Sequence, residues 1–127
     1  MKKYSIFYLF LLFLSGACSK GSGKEKDSVN PVITLNTPTD NQVFTGGQNI
    51  VISGNVTDNK YIEEIHIEIT NLVTAQEYLH VHIHPNAGTF NFNQTFAAQA
   101  GISYRIRVIA DDAATNSIAK IISVSCN

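Results

Sequence analysis

The chain has 127 residues, of which 44% are hydrophobic, 15% charged and 9% aromatic, with two cysteines and no tryptophan. That length suits one domain and leaves no room for a two-domain enzyme. From Val29 onward eight acids stand against four bases, a local net charge of −4 that the overall value of −1 conceals. This argues against nucleic acid as a partner, because binding it rests on Lys and Arg neutralising phosphates.

The first element is an address. Lys2 and Lys3 supply a positive start, and Ile6 to Leu14 form an unbroken run of nine apolar residues. As a helix such a run rises about 13 Å, too short for a bilayer core of about 30 Å. It therefore reads as a secretory signal peptide over residues 1–17. The residues Leu14-Ser15-Gly16-Ala17-Cys18 resemble the lipobox of bacterial lipoproteins. There, signal peptidase II cuts before a cysteine that carries a diacylglyceryl group. Ser15 stands where the pattern prefers leucine, with Leu14 one place further back. The resemblance implies lipidation at Cys18 and a membrane partner held through that anchor. It places the chain in the cell envelope, at the outer membrane or cell surface. Each buried methylene of an acyl chain adds about 0.8 kcal/mol, so several chains hold a small domain firmly. Ser15 and Ala17 also suit signal peptidase I, which leaves ordinary secretion as the alternative. Residues 18–29, rich in Ser, Gly and Lys, read as a flexible tether. If Cys18 is lipidated, Cys126 has no partner; if it is not, the two can pair in an oxidising compartment.

Residues 30–127 form the domain, and its pattern is strands throughout. Apolar and polar residues alternate at period two in seven runs. Ile33 and Leu35 mark the first run, and Ile50, Ile52 and Val56 the second. In the third, Ile65, Ile67 and Ile69 oppose Glu64, His66, Glu68 and Thr70. In the fourth, Leu79, Val81 and Ile83 oppose Tyr78, His80, His82 and His84. Phe90, Phe92 and Phe96 mark the fifth, and Tyr104, Ile106 and Val108 the sixth, against Arg105 and Arg107. The last, Ile118 to Ser125, is ambiguous in phase because Lys120 shares parity with Ile118, Ile122 and Val124. Turn signals lie between the runs, among them Asp58-Asn59-Lys60, Pro85-Asn86-Ala87-Gly88 and Asp111 to Asn116. The expected fold is all-β, a seven-stranded antiparallel β-sandwich.

Two stretches carry a further resemblance. Pro31 to Pro38 followed by Gly47 to Asn59, and Tyr104 to Ala110 followed by Asp112 to Asn116, resemble the opening and closing strands of bacterial immunoglobulin-like domains. Thr115 stands where that family usually has glycine, and Tyr104 suits the tyrosine corner of such sandwiches. Some Gram-negative lipoproteins are similar in build, with a short acylated tail followed by one such domain. The fold hosts spacers, adhesins, ligand binders and accessory modules, so by itself it implies no activity.

The histidines have the most chemical content. His80, His82 and His84 lie at i, i+2 and i+4, hence on one strand face, and His66 shares the polar face of the preceding strand with Glu64 and Glu68. A hairpin closing near Asn71–Gln76 pairs residues whose numbers sum to 148 or 146. The first register sets His66 opposite His82, Glu68 opposite His80 and Glu64 opposite His84. Cross-strand Cβ atoms lie about 4.5–5.5 Å apart, whereas the outer members of an i, i+2, i+4 triple stand about 13 Å apart. The expected metal set is therefore His82 with His66 and either His80 or His84, completed by Glu68 or Glu64. Imidazole-rich ligation suits zinc, copper or nickel. Free imidazole titrates near pH 6.5, so acid should release such a metal. The competing reading is a solvated sheet face in which Arg105 and Arg107 pair with Glu64 and Glu68.

Other signals are weak. Asp58-Asn59 and Asp111-Asp112 lack a full calcium set and read as turn formers. Neither a phosphate loop nor a nucleophile elbow occurs. The sequence thus points to a non-catalytic binding module, with metal binding its sharpest form. An adhesion, glycan-binding or structural accessory is the alternative, with Tyr61 and Tyr78 its few candidate aromatics and Tyr78 expected on the histidine face.

Overall fold

A computed structural model describes residues 25–127, so the signal segment, Cys18 and most of the tether lie outside the described residues. Seven strands follow in order: β1 (Val32–Thr37), β2 (Gln42–Phe44), β3 (Asn49–Asn71), β4 (Glu77–Ile83), β5 (Ala87–Ala97), β6 (Ser103–Asp112) and β7 (Ser117–Cys126). No helix occurs among the described residues.

The organising element is β3, 23 residues long. At about 3.3 Å per residue it would extend about 75 Å if straight, more than a domain of this size can span. It bends instead, and serves two layers. Its first half lies between β1 and β5, with Val32 opposite Thr57 on one side and Phe92 opposite Gly54 on the other. Its second half lies between β4 and β6, with Ile67 opposite both Val81 and Val108. The pairing with β5 is interrupted between Thr57 and Ile62, and that with β6 between Ile62 and Glu64. There the inward parity switches from Ile50, Ile52 and Val56 to Ile65, Ile67 and Ile69, all fully buried. Each such isoleucine contributes about 1.5–3 kcal/mol of burial.

Asp58-Asn59-Lys60 is thus a corner within one strand, not the turn expected between two. Its Asx geometry survives, with the Lys60 amide donating to Asp58 Oδ2 at 2.8 Å. Buried Ile62 carries the chain onward into the second layer rather than back.

The sheet closes through β6, β7 and β2. β2 runs parallel to β7, Gln42 opposite Val124 and Phe44 opposite Cys126, so the sandwich is mixed rather than wholly antiparallel. Three residues are too few for alternation to show in a sequence. β2 is held from its flanks, by Asn41 N–H to the Ser123 carbonyl at 2.7 Å and Asn127 N–H to the Phe44 carbonyl at 2.8 Å. In β7 the phase resolves with Ile122, Val124 and Cys126 inward. Cys126 is buried in the core and pairs with no cysteine among the described residues.

Tyr104 ties the layers together. It is fully buried and stacks edge-on against Phe96 of β5, ring centroids 4.8 Å apart. Its hydroxyl accepts the Gln99 amide at 2.9 Å, the bond of a tyrosine corner. Tyr78 joins the same aromatic cluster, 5.3 Å from Tyr104 and 6.0 Å from Phe96. It does not share the histidine face, because the β3–β4 register shifts between Ile69 and Thr70 and turns Tyr78 inward.

Candidate functional site

The β3–β4 hairpin adopts the register summing to 148: His66 opposite His82, and Glu68 opposite His80. Alternation then places the imidazoles on the outer face while Ile65, Ile67 and Ile69 fill the core. Ring centroids of His66 and His82 lie 4.3 Å apart, and those of His80 and His82 4.4 Å. One nitrogen from each of His66, His80 and His82 lies within 4.8 Å of the other two. His66 Nδ1 is 3.4 Å from His80 Nε2. With metal–nitrogen bonds of about 2.0–2.1 Å, the edge of a tetrahedron is about 3.4 Å.

The two glutamates of β3 have separate tasks. Arg107, opposite Glu68 on β6, grips that carboxylate with Nε at 2.8 Å from Oε2 and Nη2 at 3.0 Å from Oε1. Arg105 lies opposite Thr70, so the expected second pairing with Glu64 does not form. Glu64 faces Asp111 across the sheet and is left to the histidines. Its Oε1 accepts from His82 Nδ1 at 2.7 Å, and its Oε2 lies 3.2 Å from His66 Nε2. The His82 hydrogen bond, aided by the nearby His66 and His84 rings, holds the Glu64 carboxyl below the ordinary carboxylate range.

His84 stands apart from the trio. Its Nε2 is 3.7 Å from Glu64 Oε1, its Nδ1 3.3 Å from the Glu63 carbonyl oxygen, and its side chain is the most exposed of the four. Glu77 is a neighbour that the strand pattern does not reveal, its Oε2 3.3 Å from His80 Nδ1. It sits at the strand's start beside the register shift, where alternation no longer says which way a side chain points. Asp111 also reaches the face, with Oδ2 4.0 Å from His66 Nε2.

The Bacterial Ig domain family model matches residues 31–118. The chain belongs to that family. Among curated proteins none matches the sequence. In solved structures, this Ig domain resembles one chain of the human seminal-plasma complex of zinc 2-glycoprotein with prolactin inducible protein. The TM-score is 0.50 at 9% identity, covering 82% of this chain and 99% of that one. Two structures of a β-glucosidase from Listeria innocua, with glucose and with gluconolactone, align at TM-score 0.38 and 12% and 13% identity. They cover 75% of this chain, which spans 16% of the enzyme chain. Likeness at these identities speaks to fold alone. Bacterial Ig domains are typically non-catalytic, structural or adhesion-type modules, and are often extracellular or surface-exposed.

The Ig domain has a second polar cluster at the β3 corner, remote in kind from the imidazoles. Carboxylate oxygens of Asp27, Asp58 and Asp112 come within 4.8 Å of one another beside a cleft of about 440 Å³. Most of their bonding is to protein. Asn59 Nδ2 donates to both oxygens of Asp27 at 3.1 and 3.0 Å, and the Val29 amide to its Oδ1 at 3.1 Å. The Ala114 and Asn116 amides donate to Asp112 Oδ1, each at 2.8 Å. Asn116 Nδ2 donates to Asp112 Oδ2 at 2.6 Å and to the Asp27 carbonyl at 3.1 Å. The knot seats residues 25–29 on the domain, so the segment expected to be all tether is docked at its end. Position 27, among Lys and Ser, gives no sequence signal of burial. Tyr61, exposed at this cleft, is the one proposed glycan-contact aromatic that remains outward.

Proposed function

We propose that the chain is a non-catalytic module of the bacterial cell envelope, held by a lipid at Cys18, that binds a transition metal through His66, His80 and His82. The observation that carries the reading is the convergence of one nitrogen from each of these rings within 4.8 Å. Imidazole donors suit zinc, copper or nickel rather than calcium or magnesium, which prefer oxygen. Three protein ligands on an open sheet face leave a further position for water or a partner's donor. Glu68, engaged by Arg107, is the less available of the two carboxylates once considered for the fourth place.

Isothermal titration of the purified full chain with Zn²⁺, Cu²⁺ and Ni²⁺ tests the reading. Binding at micromolar affinity or tighter is expected, and it should vanish in His66→Ala/His82→Ala. An absence of heat with all three ions, on protein stripped of metal, would overturn it. The anchor is tested separately by mass spectrometry of the mature protein, where an unmodified Cys18 would remove it.

An adhesion, glycan-binding or structural accessory role is the second reading, favoured by family membership and by Tyr61 at the cleft. A glycan array would support it if binding were lost in Tyr61→Ala.

A further inference from the structure

The tautomers of the three rings are set by their carboxylate neighbours. His82 Nδ1 donates to Glu64 Oε1 at 2.7 Å, since a carboxylate can only accept. The proton of neutral His82 is therefore on Nδ1, and its lone pair on Nε2. His66 Nε2 faces Glu64 Oε2 at 3.2 Å and Asp111 Oδ2 at 4.0 Å. Two negative groups hold its proton on that nitrogen and leave the lone pair on Nδ1. His80 Nδ1 lies nearest Glu77 Oε2, at 3.3 Å. Its Nε2 is further, 3.6 Å, from Glu68 Oε1, an oxygen already receiving Arg107 Nη2 at 3.0 Å. The His80 lone pair thus falls on Nε2.

His66 Nδ1 and His80 Nε2 then face each other at 3.4 Å with no proton between them. Two lone pairs so placed repel, and a shared cation relieves the arrangement, as a proton taken up by either ring would. The distance is also the tetrahedral edge derived above for a metal held by imidazoles.

We infer that Glu64 is a positioning residue of the metal site and not a ligand. One carboxylate orients two rings, presenting His66 Nδ1 and His82 Nε2 to the ion, while Glu77 turns His80 to present Nε2. Carboxylates behind metal-bound histidines fix the tautomer and raise ligand basicity in this way. The inference deepens the metal reading proposed above and rests on it. It assigns to Glu64 a role different from the fourth-ligand place considered for it in the sequence, and it favours a tetrahedral ion such as Zn²⁺.

The test has one arm without metal and one with it. Long-range ¹⁵N–¹H imidazole spectra of the metal-free full chain at pH 8 should show Nε2–H for His66 and Nδ1–H for His80 and His82. Titration with Zn²⁺ should then show affinity reduced about 10–100-fold in Glu64→Ala. Glu64→Gln, whose amide oxygen can serve one ring but not two, should fall between Glu64→Ala and wild type. X-ray absorption of the zinc-loaded Glu64→Ala protein should still count three imidazoles. A proton on His66 Nδ1, or unchanged affinity in Glu64→Ala, would overturn the inference in a protein that binds zinc, and leave the metal reading standing. Wild-type protein that shows the assigned tautomers yet binds none of Zn²⁺, Cu²⁺ and Ni²⁺ would instead remove the metal reading.

Discussion

Glu64 and Glu68 lie four residues apart on one face of one strand and do opposite things. The difference comes from β6, where Arg107 stands opposite Glu68 and Asp111 opposite Glu64. One acid is neutralised by a guanidinium that hydrogen-bonds it through Nη2, and the other is left in a field that draws imidazole N–H groups to it. Alternation along β3 could place both acids beside the histidines, and it did. It could not say which was free, because that depends on the pairing of residues about forty positions apart. Tyr104 shows the reverse case, a role legible from its residue type and its place after Gly101. Its hydroxyl is the bond partner of the Gln99 amide. Tyr104→Phe keeps the aromatic packing and leaves a part-buried amide unpaired, at a cost of about 1–3 kcal/mol. Urea unfolding should show the midpoint lowered with an unchanged slope.

Among the elements, β3 decides the architecture and β4 decides the chemistry. β3 is flanked on both sides over residues 53–57 and again over 65–70, so side chains at these crossings meet two neighbours. Gly54 is the tightest point, opposite Leu35 on β1 and Phe92 on β5. A Cβ there would strike the Thr34 carbonyl oxygen and the Phe92 ring. Hydrogen bonding to both strands keeps the backbone from yielding. Gly54→Ala should therefore destabilise by about 1–3 kcal/mol or more, whereas Gly47→Ala meets no neighbouring atom and is resisted only by its φ of 81°. Thermal unfolding of the pair separates crowding from backbone strain. Among the described residues β4 pairs only with β3, which leaves its outer edge unpaired there and its histidine face open. Polar rings along such a strand also discourage pairing with other chains. The strand faces were legible because each side chain's direction follows from its neighbour's. The shift beside Tyr78 was not, because one extra residue resets the count without leaving any mark in composition.

For the whole molecule, the docked end of the tether matters most. The Val29 amide, then Asn59, and also Lys60 at 3.6 Å, hold the Asp27 carboxyl below its ordinary value of 3.8. A carboxylate whose folded pKa is depressed contributes stability that is present above its unfolded pKa and lost as pH falls through the folded value. The docking of residues 25–29 should therefore weaken as pH drops below 3.8. Hydrogen exchange at Val29, taken as protection relative to the intrinsic rate at each pH, should show protection falling at the acid end in wild type. In Asp27→Asn protection should be lower throughout, with less dependence on pH.

What followed from the sequence alone was local: an all-β fold, the inward and outward faces of most strands, and two face-preserving registers for the histidine hairpin, of which the structure takes the one that sets His66 opposite His82. A period of two and a short connection suffice for these, since each depends on residues within about twenty positions. The expectation of an envelope address also rests on the sequence alone, in residues 1–18. The tertiary structure decided that one long strand serves both layers, that Tyr78 points inward, that Arg107 claims Glu68, and that Asp27 is buried against Asn59 and Asn116. These are meetings of distant segments, and no periodicity within one segment encodes its register against another. The histidines show the division clearly. Their common face was written in the spacing, but which nitrogen of each ring meets a carboxylate and which is left open depends on side chains that only the folded sheet brings within reach.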